Sequence, residues 1–301
     1  MNNAILFSII IPTYNRAGFI IKTLESIIGQ NYSKYEVLII DDGSTDNTRE
    51  VINTFIKKNN LHQFNYFFKK NEERAAARNY GVFLAKGKYI NFVDSDDYLL
   101  FNHLDEAYNV IKNYNEPEVF HLNYAWATSD LQIIKANRIN SIYANNILVY
   151  GNVLSCNGVF LRKDIAIIHK FNENKYLSAT EDWELWLRLS ARYNIQMFAT
   201  ITSYIIDHSS RSVYDFNLIK LNARKNALIT SIKNDLIFLK KYPNGIRSIN
   251  YQMDSYIALH AALCNKKLIA IKYLIISILN NLRGIFKLRT YIILYKIIFK
   301  K

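Results

Sequence analysis

The most pointed chemistry in this chain lies in Asp94-Ser-Asp-Asp97, where an apolar run ends in carboxylates spaced one residue apart. An Asp-x-Asp at a strand end projects hard oxygen donors towards one point, and such donors suit Mg²⁺ or Mn²⁺. A nucleoside diphosphate would complete the coordination, and the cation would offset charge on a departing phosphate. Capping of a helix beginning near Leu99 draws on the same residue types and is the competing reading of the segment. A second acidic loop, Asp41-Asp-Gly-Ser-Thr-Asp46, joins another apolar run to a helical stretch. Its glycine permits close backbone approach and its hydroxyls can cap the helix, but two adjacent carboxylates exceed what a cap requires. One of them could accept the N–H of a uracil ring. Arg74 and Arg78 fall four apart on one helix face, which suits phosphate or base as well as a solvated surface.

Two further groups stand later in the chain. Glu181 and Asp182 open a tryptophan-rich helix, where carboxylates favour the positive end of the helix dipole. A carboxylate held beside apolar surface can also have its pKa raised enough to act as a general base. Trp183 and Trp186 read as core, with one ring at a site rim able to stack on a pyranose. Asp207-His-Ser-Ser-Arg-Ser212 offers an imidazole, His208, and a guanidinium, Arg211, within six residues of loop.

These residues need a scaffold that brings strand ends together. The first hundred residues alternate short apolar strands with helix-period stretches, the pattern of a parallel sheet covered by helices. Strands are expected at Phe7 to Ile11, Tyr35 to Ile40, Phe64 to Phe68 and Lys88 to Val93. Helices between them use Ile20, Leu24 and Ile27, then Ile52 and Phe55, then Ala75 to Ala77. In such sheets ligands bind beyond the carboxyl ends of the strands, so both acidic loops should share one site. Later strand-like runs at Glu118 to Tyr124 and Asn152 to Leu161 predict a mixed sheet. Strand signals fade from about Asp215, dividing the chain into a catalytic domain over 1–214 and a basic helical region over 215–301.

In their order along the chain, the motifs resemble those of the bacterial family 2 glycosyltransferases, inverting enzymes of the GT-A fold. Ile10-Ile-Pro-Thr-Tyr-Asn-Arg16 is similar to that family's opening strand, and Ile40-Asp-Asp-Gly-Ser-Thr-Asp46 to its nucleotide loop. Ala77-Arg-Asn-Tyr-Gly81 resembles its donor-side helix, Phe92-Val-Asp-Ser-Asp-Asp97 its metal motif, and Thr180-Glu-Asp-Trp-Glu-Leu-Trp186 the motif containing its base. The resemblance implies an α/β nucleotide-diphospho-sugar transferase fold, a Rossmann-like mixed sheet flanked by helices, with a C-terminal helical extension. It further implies that Pro12, Tyr14 and Asp42 surround the nucleobase, that Arg78 helps hold the nucleotide, and that Asp94 meets ribose or metal. Asp96 then binds Mn²⁺ or Mg²⁺, with His208 and Arg211 near metal and pyrophosphate. Asp182 would deprotonate the acceptor hydroxyl, and Glu181 would orient the substrates. The implied substrates are a nucleotide sugar, UDP-linked first among them, and a glycan or lipid-linked glycan acceptor, in surface polysaccharide synthesis. Residues 118–152 match no motif and are where acceptor specificity is expected.

Composition narrows the alternatives. The chain has 301 residues, half of them hydrophobic, and only three prolines, which favours a packed globule over disorder. Its net charge of +13 calls for an anionic partner. A nucleic-acid-binding module would leave the carboxylates at strand ends unexplained. A nicotinamide dehydrogenase wants Gly-x-Gly-x-x-Gly where Pro12-Thr-Tyr-Asn-Arg16 stands. A catalytically inactive nucleotide-sugar-binding or scaffold protein on the same fold is the competing reading, against which the intact Asp94, Asp96 and Asp182 argue. Cys156 and Cys264 fit neither a zinc site nor a disulfide framework, so a reducing cytoplasm is expected.

The basic charge gathers at the end, since no acidic residue follows Asp254 while lysines and arginines continue. Leu268, Ile271, Leu274, Ile275, Ile278 and Leu279 form an apolar stripe there. A basic amphipathic helix of this kind fits the inner face of an anionic membrane, or packing on the rest of the protein or a second subunit.

Overall fold

The computed structural model describes residues 4–139, 141–208 and 216–299. The chain divides into two compact units, one comprising Met1–Ala144, Leu154–Lys175 and Tyr193–Ser209, the other Asn145–Val153, Tyr176–Arg192 and Ser210–Lys301.

The first unit is built on a nine-stranded mixed sheet. Its parallel half comprises β1 (Phe7–Thr13), β2 (Tyr35–Asp41), β3 (Phe64–Phe68) and β4 (Tyr89–Phe92), in the spatial order β3-β2-β1-β4. β1, β2 and β4 are buried along their whole length, which is why they appear as unbroken apolar runs rather than alternating ones. Helices α1 (Ile20–Ile28), α2 (Thr48–Lys58) and α3 (Glu73–Leu84) connect them. Ile20, Leu24 and Ile27 of α1 and Ile52 of α2 enter the same core as Phe7, Ile9 and Val37. The helix of Gly29's sequence signal ends there, its N–H closing on the Glu25 carbonyl. Gly81 of α3 sits against Ile10, where even a Cβ would approach the isoleucine Cγ2 to 2.4 Å.

The other half of the sheet is antiparallel in part. β5 (Tyr98–Leu99), α4 (His103–Asn113), β6 (Val119–Ala127), β7 (Ile133–Ala136), β8 (Val159–Arg162), α5 (Lys163–Ile168) and, beyond α6 (Glu181–Ser190), β9 (Gln196–Ile206) follow in the chain. β8 runs antiparallel between β4 and β6, β9 lies parallel to β6 and pairs in turn with β5, and β7 hairpins onto β6. Two sequence expectations change here. The run from Asn152 is not extended, because a turn at Cys156 to Gly158 precedes the four residues of β8. The helix after the acidic loop begins at His103, not near Leu99, since Tyr98 and Leu99 pair with β9 instead.

The second unit is helical. It holds α6, a 3₁₀ turn at Leu148–Tyr150, α7 (Leu218–Lys233), α8 (Leu236–Lys241), α9 (Gly245–Leu263), α10 (Lys267–Asn280) and α11 (Leu288–Phe299). α9 packs against α7, α10 and α11, through Ala258, Ala261 and Ala262 meeting Ala270, Leu274 and Ile293. Small residues there let the helix axes come close. Asp254 of α9 is fully buried and held by Lys225 at 2.6 Å.

Candidate active site

Parallel strands end on one edge of their sheet, and this edge gathers the predicted residues of the first unit. Thr13 and Asp41 stand opposite each other at the ends of β1 and β2. Asp94 follows the end of β4 by two residues. The loop from Tyr14 to Phe19 links the two acidic segments. Asn15, with a left-handed φ of 51°, turns its Oδ1 to accept the Thr45 N–H at 2.8 Å, while its own N–H donates to Ser44 Oγ at 2.9 Å. The next residue, Arg16, donates its N–H to Thr48 Oγ1 and brings Nε within 3.5 Å of Asp96 Oδ2.

Within that edge the carboxylates have different surroundings. Asp41 is buried as a structural acceptor, taking the Ser44 N–H at 2.8 Å and the Tyr66 hydroxyl at 2.6 Å. Asp42, also buried, accepts from Lys69 Nζ at 2.8 Å and the Glu72 N–H at 3.0 Å. Burial pulls Lys69 down, but Asp42 and Glu72 together hold its ammonium above the ordinary lysine range. Pro12 is buried at the end of β1, whereas Tyr14 projects, 45% exposed.

Arg78 is only 1% exposed and donates from Nη2 to Asp94 Oδ1 at 2.8 Å, with its guanidinium 5.2 Å above the Phe171 ring. Asp96 instead faces His208, whose Nε2 lies 3.2 Å from Oδ2 and whose ring lies tilted against Phe19, centroids 4.7 Å apart. Asp97 is buried outright. It accepts from Asn157 Nδ2 at 2.7 Å and from the Ile206 N–H at 2.9 Å, while Asn157 Oδ1 takes the Asp94 N–H at 3.0 Å. Burial, then the charges of Asp96 and Asp94, push the Asp97 carboxyl well above the usual carboxylate range, with the two donors pulling the other way.

The remaining predicted pair lies in the second unit. Glu181 is buried and Asp182 half-buried at the first turn of α6, where Ala179 has a left-handed φ of 68°. Asp182 Oδ2 accepts from Asn152 Nδ2 at 2.8 Å, and Oδ1 from the Trp183 N–H at 2.7 Å. One turn on, Glu184 pairs with Arg188 within α6 and accepts from the Ser231 hydroxyl of α7, which ties the two helices together.

The glycosyl transferase family 2 model matches residues 8–164, more than half of the chain. This protein belongs to that family. An uncharacterized glycosyltransferase of Rickettsia bellii is 33% identical over 189 residues, 62% of this chain but 26% of the relative. The chain thus spans about a quarter of the length of that curated relative. Among solved structures, residues 1–349 of S. aureus TarS in complex with UDP-GlcNAc give a TM-score of 0.63 at 17% identity, covering 89% of each chain. The mannosyltransferase PcManGT of Pyrobaculum calidifontis, in complex with GDP-Man and Mn²⁺, gives 0.61 at 15% identity over 97% of this chain and 84% of its own. The fold is therefore GT-A, with C-terminal helices.

Set against its family resemblance, the structure brings Asp96 and His208 together and pairs Asp94 with Arg78. Arg211 lies outside the described residues. Trp183 and Trp186 are 4% and 0% exposed, with the Trp183 indole N–H donating to the Leu148 carbonyl, so neither ring is open to stack on a sugar. The helix period that made them look amphipathic comes from a helix packed nearly all round.

Among the described residues no group of three acidic, histidine or cysteine side chains converges on one point. Asp96 and His208 nevertheless suit a divalent cation. Their facing atoms, 3.2 Å apart, have the separation of neighbouring ligands that each stand about 2.1 Å from one octahedral ion. Ions of this kind keep several positions for water and substrate phosphate, so two protein ligands suffice. Three residues of this edge escaped the sequence reading: Arg16, Lys69 and Asn157. Arg16 sits inside the opening motif and could have been suspected. Lys69 and Asn157 carry no local signal, because their roles depend on partners 27 and 60 residues away.

Proposed function

We propose that this family 2 member transfers a hexosyl or N-acetylhexosaminyl group from a nucleotide-diphosphate sugar, UDP-linked first among candidates, to a hydroxyl of a glycan or lipid-linked glycan. Residues 1–214 carry the chemistry, in bacterial surface polysaccharide synthesis on the cytoplasmic side, with peripheral contact to the inner membrane. The observation that supports this best is the facing pair Asp96 and His208 on the same strand edge as Asp42 and the Arg78–Asp94 pair. TarS, which shares the fold, was crystallised with UDP-GlcNAc, and PcManGT with Mn²⁺.

In this reading Pro12, Tyr14 and Asp42 frame the nucleobase, Tyr14 supplying the exposed ring and Asp42 an acceptor. Arg78 helps hold the nucleotide by fixing the Asp94 carboxylate for the ribose, and Arg211 is assigned to the pyrophosphate. Asp96 and His208, helped by Asp94, would hold Mn²⁺ or Mg²⁺, which when bound supplies positive charge at the departing diphosphate. Asp182, kept in place by Asn152, takes the proton of the attacking hydroxyl, and Glu181 orients the substrates. Attack opposite the leaving group inverts the anomeric centre.

The test is release of nucleoside diphosphate from a panel of UDP-, GDP- and dTDP-sugars, with Mn²⁺ or EDTA. One donor is expected to be hydrolysed slowly, with metal only, and Asp96→Ala to lose about a hundredfold or more. Asp182→Asn should retain donor binding and lose transfer once an acceptor is supplied. If the folded protein neither binds nor cleaves any of these donors with metal, the reading fails.

A further inference from the structure

The apolar stripe of α10 does not lie where a packed helix would put it. Of its six residues only Leu274 is buried; the helix packs through Ala270, Leu274 and Ser277. At 100° per residue, Leu268, Ile275 and Leu279 fall on the side opposite those three, with Ile271 at its flank, and Leu268 is 85% exposed. The same happens in α11. Thr290 and Ile293 face inwards, while Leu288, Ile292, Tyr295 and Phe299 form an outward stripe, Phe299 being 67% exposed. The 3₁₀ turn joining the two helices (Leu282–Phe286) adds Phe286, 78% exposed. Soluble proteins rarely leave so many large apolar side chains open on neighbouring elements.

Charge says what covers it. Lys266, Lys267, Lys272, Arg283 and Lys287 are all exposed around these stripes. No acidic residue follows Asp254, and Asp254 is itself buried against Lys225. A second copy docking face to face would set one basic rim against another. An anionic bilayer meets both features at once: lysines and arginines reach headgroup phosphates, while the apolar stripe enters the boundary of the acyl chains. Spanning is ruled out for these helices by length, since the 14 residues of α10 extend about 21 Å against a core of about 30 Å. Among the described residues no helix is long and apolar enough to cross a membrane.

We infer that α10 and α11 form a docking face for an anionic phospholipid surface, with both helices lying in the interface. This gives the peripheral location proposed above a surface and a partner, and it stands independently of the sugar chemistry.

The experiment is flotation of the full chain with vesicles of phosphatidylcholine, alone or mixed with phosphatidylglycerol. The protein should float with the mixed vesicles only, and less so at high salt. Lys266→Gln/Lys267→Gln/Lys272→Gln should weaken partitioning about a hundredfold, taking the usual contribution of a basic residue at an anionic surface. Leu268→Ser/Ile275→Ser/Leu279→Ser should weaken it while keeping helicity, since these side chains are exposed. Donor hydrolysis in solution should be unchanged in both, which separates failure of this inference from failure of the functional reading. No flotation with mixed vesicles, or flotation indifferent to both triple variants, would overturn it. So would a dimer in light scattering that the serine variant dissolves without any vesicle binding, because the face would then belong to a second copy.

Discussion

Asp97 touches no donor in the proposed reading, yet it is the most buried carboxylate of the acidic loop and the one with most to hold. Its two acceptances, from Asn157 and from the end of β9, tie the loop to two strands distant in sequence. Asn157 then returns to the loop through the Asp94 N–H, so that one amide side chain fixes both ends of Asp94 to Asp97. Outer partners of this kind orient ligands they never replace, and losing one typically weakens metal binding by about 10- to 100-fold. Asn157→Ala should therefore weaken Mn²⁺ binding in the presence of UDP by that order, read by the free Mn²⁺ signal in electron paramagnetic resonance. The native circular dichroism should persist. Unchanged Mn²⁺ affinity in a folded variant would reduce Asn157 to a packing residue.

At the scale of elements, what could be read from the sequence was what the chain decides locally. β1, β2 and β4 were legible because strands buried on both faces must be apolar throughout, and α1 because Gly29 ends its apolar period. β8 was misjudged at its start because Asn152 to Gly158 is apolar enough for a strand but is bent by a contact from outside. Gly158 lies where a Cβ would come within 2.2 Å of the Leu122 carbonyl oxygen and 2.5 Å of His121 Nε2. The Leu122 N–H donates to the Gly158 carbonyl at 2.8 Å, so the two backbones are locked at that spacing. No window of sequence contains both partners. For the tail stripe, periodicity shows an apolar face without saying what it meets. Gly158→Ala must push β8 from β6 and should destabilise the sheet unit by about 1–3 kcal/mol, as overpacking does. A urea midpoint equal to wild type would show that the strands yield more easily than this contact implies. The gathering of carboxylates at strand ends was legible because parallel topology places them on one edge, whereas Lys69 and Asn157 were not.

The whole sheet unit responds to pH through histidines that serve no reaction. His103 and His121 are completely buried, and burial lowers each pKa from 6.5 to about 3. His103 fits as a neutral ring: Asn91 spends its Nδ2 on the Asn157 and Val159 carbonyls, so its Oδ1 accepts from His103 Nε2, and Nδ1 takes the Thr202 hydroxyl. The unfolded chain binds a proton at each of these residues below about pH 6.5 while the folded one does not until near pH 3. Each histidine therefore removes roughly 1.4 kcal/mol of stability per pH unit across that window, as pH falls. Asp97 and Asp254, raised by burial, act with the opposite sign above the ordinary aspartate range, so total stability mixes the two. A neutral replacement separates them. His103→Gln gives up packing at all pH values but does not titrate, so its deficit relative to wild type should shrink by roughly 1.4 kcal/mol for each unit below about pH 6.5. Urea unfolding of both proteins at about pH 7, above the window, and at about pH 5, where only the unfolded imidazole is protonated, measures this. A deficit that stays constant would mean that the folded protein protonates His103 as readily as the unfolded chain does, and that the buried chain from Thr202 through Asn91 to Asn157 opens to water under the acidic loop.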